Sequence, residues 1–371
     1  MALRLLSRFA WVVVGGLFIF SGLIKLNDPV GTAIKLEEYF EVFSADFSTV
    51  FLSFKPFALY LSILLSTLEV VLGVALLVRW RLNTVLWLLF FLTLFFTFLT
   101  FYSAFYNKVT DCGCFGDAIK LTPWQSFGKD VILLVLLLVL LFTQRHLVSL
   151  GQTNRGVTGT IVAVSLLFSL VVSVYAYQHE PFLDFRAYRK GANIPQLMKP
   201  SAPLRYQYIM EKGGKEVTFD TYPTDTTYTF KKMVPLNPED GPKITDFNVW
   251  NDQGDFTKEM FSGNRLLVLV KDVNKADHES FAEINRLLAG VENNQSPKIV
   301  PVVITSSSSQ EFDVFRHEVN LSAPYYFADA TVLKTMIRAN PGLLLFRDGV
   351  VVGKWHYNDV PSLQEVQSLV R

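Results

Sequence analysis

Two cysteines separated by one glycine are the residues of this sequence best suited to chemistry. Cys112 and Cys114 are the only cysteines in the chain, and residues 110–117 read TDCGCFGD. Glycine has no Cβ to clash in unusual regions of φ/ψ space, so Gly113 allows the backbone to bring two sulfurs together. In an oxidising compartment such a pair tends to end as a disulfide. The pattern therefore indicates thiol–disulfide chemistry.

Other interpretations of the pair stay open on the sequence alone. A ring closed across one residue is small and strained, and strained, exposed disulfides exchange more readily. Closing so short a loop removes little entropy from the unfolded chain, which weakens the case for a structural disulfide. Two thiolates also suit a soft metal such as Cu(I), but residues 110–117 contain no His or Met to complete the site. We predict redox exchange without a metal, with a structural disulfide or inert thiols as alternatives.

Long uncharged runs surround this pair. Half of the residues are apolar and 14% are aromatic, and the apolar runs fall between residues 9 and 177, whereas residues 179–371 resemble a water-soluble protein. A bilayer core of about 30 Å needs about 20 apolar helical residues. Segments that meet or approach this length are 8–26, 57–78, 84–106, 123–143 and 157–177. The first is expected to stay uncleaved, because residues 25–27 lack a small-residue cleavage pattern.

The basic residues predict an orientation for these spans. Arginines lie before span one, between spans two and three, and between spans four and five, in segments without acidic residues. They are Arg4, Arg8, Arg79, Arg81, Arg145 and Arg155. The opposite loops mix lysines with acidic residues, and cytoplasmic loops carry the excess of Lys and Arg. We therefore expect a bacterial inner-membrane protein with a cytoplasmic N-terminus. Its cysteine loop and C-terminal half would face the periplasm.

A few ionisable residues interrupt the predicted spans. Glu69 is about twelve residues into span two, near the middle of the bilayer, where a charged side chain is costly and usually functional. Lys25, near the outer end of span one, is a candidate partner, although a lysine there can also snorkel. Lys129 and Asp130 lie about two turns into span four. Glu69 and Asp130 are candidate proton relays for the cysteine pair, and the alternative is that these groups only hold helices together.

The C-terminal half shows a different pattern. Residues 181–199 read as a linker or collar, and 205–232 alternate in polarity, which predicts two or three short strands. From residue 244 the pattern predicts strands at 266–270 and 299–305, with helices at 277–288 and 310–319. A short extended segment at 325–328 and a helix at 331–338 follow. The remaining predictions are strands at 343–346 and 350–355, joined by a turn at 347–349, and a helix from Pro361.

Several motifs in the first half resemble a known family. The segment DCGCFG at 111–116, with Trp124 and the fourth span after it, resembles the MauE branch of the DoxX/MauE membrane proteins. FSGLIKLNDP at 20–29 and LEVVLG at 68–73 fit the same pattern, and the resemblance covers about residues 8–143. It implies a role in forming or reducing disulfides of exported proteins. The related enzymes of the vitamin K epoxide reductase type couple such cysteines to a quinone, so a quinone is the cofactor that this resemblance suggests.

The order of elements after residue 244 resembles the thioredoxin fold. In that family the residue at the position of Pro341 is cis and borders the active site. Thioredoxins carry Cys-x-x-Cys just after the first central strand, but residues 272–277 read DVNKAD. Without cysteines this region cannot exchange disulfides. The resemblance therefore implies a docking module or a structural cap, in which His278 is a solvated helix residue and 306–309 a loop.

Together these observations predict a membrane α-helical bundle, a four-helix DoxX/MauE-like core plus a fifth span, followed by a soluble α/β thioredoxin-like domain. The predicted divisions are 1–150 for the four-span domain, 151–180 for the fifth span, 181–243 for the linker and β-rich segment, and 244–371 for the thioredoxin-like domain. The predicted function is a membrane thiol–disulfide oxidoreductase acting on exported proteins that contain cysteines. The alternative is a non-enzymatic scaffold whose C-terminal domain binds an envelope partner. Membrane lipid is an expected partner and nucleic acid is not, because the sequence has no basic tract.

Overall fold

The computed structural model describes residues 2–109, 113, 115–148, 154–294 and 296–371. The chain divides into two compact units, Met1–Phe185 and Arg186–Arg371. The first unit is helical and the second is rich in strands. The finer four-part division of the sequence stays a prediction.

Among the described residues, every helix of the first unit except the second corresponds to a predicted span. The helices are α1 (Ala2–Asn27), α2 (Pro29–Asp46), α3 (Ala58–Leu77), α4 (Leu82–Tyr106), α5 (Pro123–Val148) and α6 (Arg155–Gln178), and a 3₁₀ segment, Thr49–Phe57, precedes α3. Among the described residues, five helical segments are long and apolar enough to cross a membrane: Leu3–Asn27, Thr49–Leu77, Leu82–Tyr106, Pro123–Leu147 and Arg155–Gln178. The five predicted spans thus correspond to five helical segments that could cross a membrane, as expected of a multi-pass membrane protein.

Helix α2 was not expected from the sequence. Asp28 caps its N-terminus by accepting a hydrogen bond from the Gly31 N–H at 2.8 Å, and Pro29 occupies the first turn. Its buried residues recur every three or four positions: Pro29, Ala33, Leu36, Tyr39 and Phe43. Such a stripe is the face that a surface helix turns toward a core. The mixture of charges in this segment hides the stripe from a search for uncharged runs.

Close packing of α1 against α3 organises the bundle. A Cβ built on Gly73 would lie 2.9 Å from the backbone oxygen of Gly15, and one built on Gly22 would lie 2.6 Å from the Val70 side chain. Small residues allow membrane helices to approach this closely. Helix α4 packs along α5, and α6 packs mainly against α3. This pairing brings the polar residues of α1, α3, α4 and α5 toward one another.

The second unit contains two sheets. Its helices are α7 (Ile194–Leu197), α8 (Phe281–Glu292), α9 (Ser309–Glu318), α10 (Ala330–Met336) and α11 (Leu363–Val370). The first sheet has the order β2-β1-β3 and consists of β1 (Tyr206–Lys212), β2 (Lys215–Phe219) and β3 (Thr229–Pro235). These are the short strands predicted there, with a tight turn at Gly213 and Gly214 between the first two.

The second sheet has the order β10-β9-β6-β7-β8-β4-β5. Its strands are β4 (Trp250–Asn251), β5 (Gly254–Asp255), β6 (Asn264–Val270), β7 (Ile299–Thr305), β8 (Tyr325–Phe327), β9 (Gly342–Arg347) and β10 (Val350–His356). Strands β6, β7 and β8 are parallel, β9 is antiparallel to β6 on its other side, and β10 is antiparallel to β9. Alternate residues of β6 enter different apolar clusters, Leu266 and Val268 on one side and Leu267 and Leu269 on the other. The central sheet is therefore covered on both faces.

The sequence interpretation differs from the structure in several places of this unit: the short strands β4 and β5 were not predicted, and α11 begins at Leu363 rather than at Pro361. Helix α8 begins at Phe281 rather than at residue 277, because Asp277 and Ser280 form a separate turn in which Asp277 Oδ1 accepts the Ser280 N–H at 2.9 Å. Part of the segment interpreted as a linker packs on the sheet. Ile194 is fully buried, and its N–H donates to the Gly349 carbonyl at 2.9 Å.

Candidate functional site

Cys112 and Cys114 lie outside the described residues, and the neighbouring residues show where their loop is attached. The Gly116 N–H donates to the Gly113 carbonyl at 3.0 Å. Gly113 has φ +65°, and a Cβ built on it would lie 3.2 Å from the Cγ of Lys35. Phe115 is buried, and its ring centroid lies 5.7 Å from that of Phe20. Gly113 and Phe115 are therefore packed against α2 and α1.

A buried ion pair lies in the membrane bundle below this loop. Lys25 Nζ donates to Glu69 Oε1 at 2.5 Å, and Ser21 Oγ donates to Glu69 Oε2 at 2.8 Å. Only 1% of Glu69 and 8% of Lys25 are exposed. Lys25 Nζ also lies 4.7 Å from the centre of the Phe96 ring. The structure thus pairs Glu69 with the residue that the sequence suggested as its partner.

The second predicted relay residue lies in a similar setting. Asp130 is 2% exposed and accepts a hydrogen bond from Thr100 Oγ1 at 3.0 Å. It also forms an ion pair with Lys129. Lys129 Nζ lies 5.5 Å from the centre of the Phe115 ring. Asp130 is therefore connected through Lys129 to a residue bonded directly to Cys114.

Both ion pairs line one cavity. It encloses about 410 Å³, part of it open to the surroundings, and its wall includes Lys25, Glu69, Lys129, Asp130 and Phe115. Carboxylates and lysines in one cavity can accept and donate protons, and such groups at membrane depth commonly mark proton relays. The structure thus brings the two predicted relay residues to one site.

A second cavity borders the other described residue of the loop. It encloses about 500 Å³, also partly open, and its wall includes Lys35, Tyr39, Phe96 and Gly113 together with Lys25. Lys25 and Phe96 belong to both cavities. The wall of this second cavity is mostly apolar, so it suits an apolar molecule with a few oxygen acceptors.

A third polar cluster fastens α2 to α4 at the same end of the bundle. Asp46 accepts hydrogen bonds from Lys108 Nζ, at 2.6 Å, and from the Tyr102 hydroxyl. Hydrogen bonds from Lys108 and Tyr102 hold the pKa of the Asp46 carboxyl below its usual value. The Tyr102 ring packs against Phe43 with centroids 5.1 Å apart. Sequence reasoning used Asp46 and Lys108 only as loop charges and missed this contact.

Sequence reasoning also missed Ser21 and Thr100. Ser21 precedes Lys25 by four residues, so both project from one face of α1. That spacing would identify Ser21 from the sequence once Lys25 is assumed to pair with Glu69. Thr100 has no such signal, because hydroxyl residues are common in apolar helices and bond their own carbonyls, as Thr97 does to Thr93 O at 2.7 Å. Only the packing of α4 against α5 shows that Thr100, rather than another hydroxyl residue, bonds Asp130.

The loop after β6, residues 272–277, contains no cysteine. It is held in place by side-chain hydrogen bonds. Asn340 accepts from the Lys271 N–H and donates to the Asp272 carbonyl, each at 2.8 Å. Ser307 Oγ accepts the Val273 N–H at 3.1 Å. The Asn340–Pro341 bond is cis. These contacts make the loop a rigid surface.

Two further sequence interpretations concern this region. His278 is exposed and meets the Phe315 ring edge-on, with centroids 5.2 Å apart. Ser308 caps α9 in a reciprocal arrangement with Glu311. Both positions therefore have structural contacts. Among the residues that the structure describes, no group of three or more His, Cys, Asp or Glu could hold a metal ion.

Comparison with known proteins gave two family matches. Residues 204–235 match a domain of unknown function, DUF8463, and this range corresponds to the three-stranded sheet β2-β1-β3. A search of curated proteins found no match. Residues 3–143 match the family described as methylamine utilisation protein MauE. This match spans α1 to α5 and includes every residue of the two buried ion pairs, and residues 3–143 of this chain therefore form a MauE-family domain.

Proposed function

We propose that this protein is a membrane thiol–disulfide redox protein. Cys112 and Cys114 exchange electrons with cysteine-containing exported proteins. A lipid-soluble carrier of the quinone class regenerates the pair. The protein lies in the bacterial inner membrane with its N-terminus in the cytoplasm, and the cysteine loop and the second unit face the periplasm.

One observation carries the proposal. The cavity that contains Lys25, Glu69, Lys129 and Asp130 includes Phe115 in its wall, and Phe115 is bonded to Cys114. Redox chemistry of a cysteine pair moves protons together with electrons. Buried carboxylates with ammonium and hydroxyl partners next to such a pair supply groups that can carry those protons. A structural disulfide needs no such neighbours.

The chemistry balances in two stages. In the first stage a thiolate of the exported protein attacks the Cys112–Cys114 disulfide, forming a mixed disulfide and releasing the other cysteine of the pair as a thiolate. A second thiolate of the exported protein then resolves the mixed disulfide, so that the exported protein gains a disulfide and the pair becomes a dithiol. In the second stage a carrier of the quinone class would accept the two electrons and two protons of the dithiol as the S–S bond of the pair forms again. The mostly apolar cavity beside Gly113 marks the place where such a carrier would approach the pair. Glu69 and Asp130 would pass the protons.

We propose further that the second unit is a thioredoxin-like domain that has lost its redox role. Parallel strands β6 and β7 and the antiparallel pair β9 and β10 support the resemblance. The loop after β6 is rigid and lacks cysteine. Its role would be to dock partner proteins for the membrane pair.

The same rigid loop favours a second candidate function, a non-enzymatic scaffold. In that case the second unit would bind an envelope partner, and the cysteines would only shape their loop. The two functions differ in whether partner proteins ever become covalently attached.

Replacement of Cys114 by Ala, and separately of Cys112, tests the redox function. In one of the two variants the remaining cysteine should accumulate in mixed disulfides, visible as high-mass adducts that disappear on reduction. The Cys112→Ser/Cys114→Ser variant is the matched control and should form none. If neither single variant forms adducts and the double variant keeps normal function, the scaffold is correct.

The proposed relay has a separate readout. In the Glu69→Gln variant the pair should be reoxidised more slowly, measured by acid quenching and mass-shifting maleimide after a reductant pulse. An unchanged rate at normal protein levels would remove Glu69 from the mechanism, while the trapping result would still stand.

A further inference from the structure

The polar groups of the membrane bundle occupy one half of its depth. A helix rises 1.5 Å per residue, so Glu69 lies about 16 Å from the start of α3 at Ala58. Asp130 lies about 10 Å from the start of α5 at Pro123, and Lys25 is two residues before the end of α1. The starts of α3 and α5 and the end of α1 all lie on the side of the bundle that carries the cysteine loop. The cavity therefore reaches from that side to about the middle of the bundle.

The opposite half of the bundle is filled by apolar side chains. One cluster joins residues of α1, α3, α4 and α5 that have no exposed surface. They include Ala10, Val14, Leu76, Leu86, Leu89, Leu137 and Leu140. The layer is about 12 Å thick where it is thinnest, from Glu69 to Leu77 at the end of α3.

Polar side chains within this half donate to backbone carbonyls, either of a neighbouring helix, as Trp11 Nε1 does to the Leu76 carbonyl at 2.7 Å, or of their own helix. Ser7 Oγ donates to the Leu3 carbonyl at 2.8 Å, and Thr143 Oγ1 donates to the Val139 carbonyl at 2.6 Å. In the part of α3 that follows Glu69, residues 70–77, and in residues 131–143 of α5, every side chain is uncharged. A proton in this layer would be a charge in hydrocarbon without a partner, which is strongly unfavourable.

We propose that the polar cavity is closed toward the opposite face of the membrane. Its residues then exchange protons only with the side that carries the cysteine loop. The two protons that accompany the two electrons of dithiol oxidation pass to the electron acceptor or to water on that side. Turnover of the pair therefore moves no proton across the membrane. The redox reaction rests on the proposed function, whereas the one-sided access of the cavity does not.

Cysteine accessibility tests the closed cavity. Single cysteines are introduced at Ser21, which lines the polar cavity, and at Thr100, which donates to Asp130 and lines the neighbouring cavity. Two more are introduced at Leu86 and Leu137 in the apolar layer, and all are made in the Cys112→Ser/Cys114→Ser background. A charged, membrane-impermeant methanethiosulfonate is added to right-side-out or inverted vesicles. Cysteines at Ser21 and Thr100 should react only from the side of the cysteine loop, at least tenfold faster than those at Leu86 and Leu137.

Two results would overturn the proposal. Labelling of the Ser21 or Thr100 cysteines from the opposite face would mean that the cavity is open there. Labelling of the Leu86 or Leu137 cysteines in variants that keep a monodisperse elution profile would mean that the apolar layer is hydrated. The two cavity positions lie on different helices, so misfolding of one variant leaves the other informative.

Proton movement itself is measured with the wild-type protein in proteoliposomes. A dithiol/disulfide buffer is supplied on the side of the cysteine loop, and the ratio of reduced to oxidised pair is compared with and without an imposed membrane potential. The ratio should stay within about twofold, because a proton that crossed the membrane would change it about tenfold or more. A change of that size contradicts the proposal. Absence of mixed disulfides would instead count against the proposed function, and the labelling result would be unaffected.

Discussion

Removal of the lysine from the buried ion pair should destabilise the bundle more than removal of the glutamate. In Lys25→Met, Glu69 stays near the middle of the membrane with only Ser21 as a described hydrogen-bond partner of its carboxylate. In Glu69→Gln, the unpaired lysine is two residues from the end of α1 and can extend toward the interface. The greater depth of Glu69 in the membrane therefore predicts that Lys25→Met is the less stable variant.

The magnitude follows from burial. The side chains of Lys25 and Glu69 are 9% and 2% exposed, and Glu69, deep in the membrane, is not solvated when Lys25 is lost. Removing one partner of a buried ion pair costs about 3–5 kcal/mol, and a charge at the centre of a membrane helix costs about 2.5–3.5 kcal/mol. We expect a loss of about 3 kcal/mol for Lys25→Met. Glu69→Gln should cost about 1 kcal/mol, comparable with one lost hydrogen bond.

The double variant Lys25→Met/Glu69→Gln separates pairing from other effects. It should cost less than Lys25→Met alone, because it leaves no unpaired charge. Unfolding free energies are measured by denaturation with sodium dodecyl sulfate in mixed micelles. The control is Lys35→Met, whose ion pair with Glu38 has side chains 31% and 36% exposed and should contribute less than about 1 kcal/mol. Additive single and double effects, or a larger cost for Glu69→Gln, would refute the reasoning.

Two further predictions concern the contacts that hold the bundle together. Gly73→Ala should destabilise it by about 1–3 kcal/mol, because the added Cβ would lie 2.9 Å from Gly15 O. Gly128→Ala is the control: Gly128 lies in a helix with no atom within 4 Å of the added Cβ, so this variant should stabilise the bundle by about 0.5–1 kcal/mol. Equal effects of Gly73→Ala and Gly128→Ala in the same denaturation assay would contradict the close packing of α1 against α3. The lowered pKa of Asp46 makes its hydrogen bonds with Lys108 and Tyr102 stabilising above the ordinary aspartate pKa of 3.8. That contribution is lost as the pH falls through the lower pKa of the folded state. The Asp46→Asn variant should therefore lose less stability than the wild type on acidification below about pH 4. Identical profiles of stability against pH for the two proteins would exclude this contribution of Asp46.

Much of the architecture could be predicted because long apolar runs mark the spans and because apolar residues of the second unit recur with the periods of helices and strands. Strand β7 occupies the predicted residues 299–305, and α9 differs from its predicted range by one residue at each end. Helix α2 was missed because charged residues on its other face break the run of apolar residues, although its buried stripe is continuous. The start of α8 was placed four residues too early, since Asp277 and Ser280 form their own turn before the helix. That turn depends on a local side-chain contact, which composition does not reveal.

The amino-acid sequence alone establishes which segments cross the membrane and that the cysteines lie between two of them, because both depend on local hydrophobicity. It also marks Glu69 and Asp130, since an ionisable residue is conspicuous in an apolar run. Their partners depend on which helices pack together: Lys25 is 44 residues from Glu69, and Thr100 is 30 residues from Asp130. A sequence contains no local signal for contacts of that separation. Tertiary packing therefore decided that the two ion pairs share one cavity beside the cysteine loop, and that apolar side chains fill the rest of the bundle.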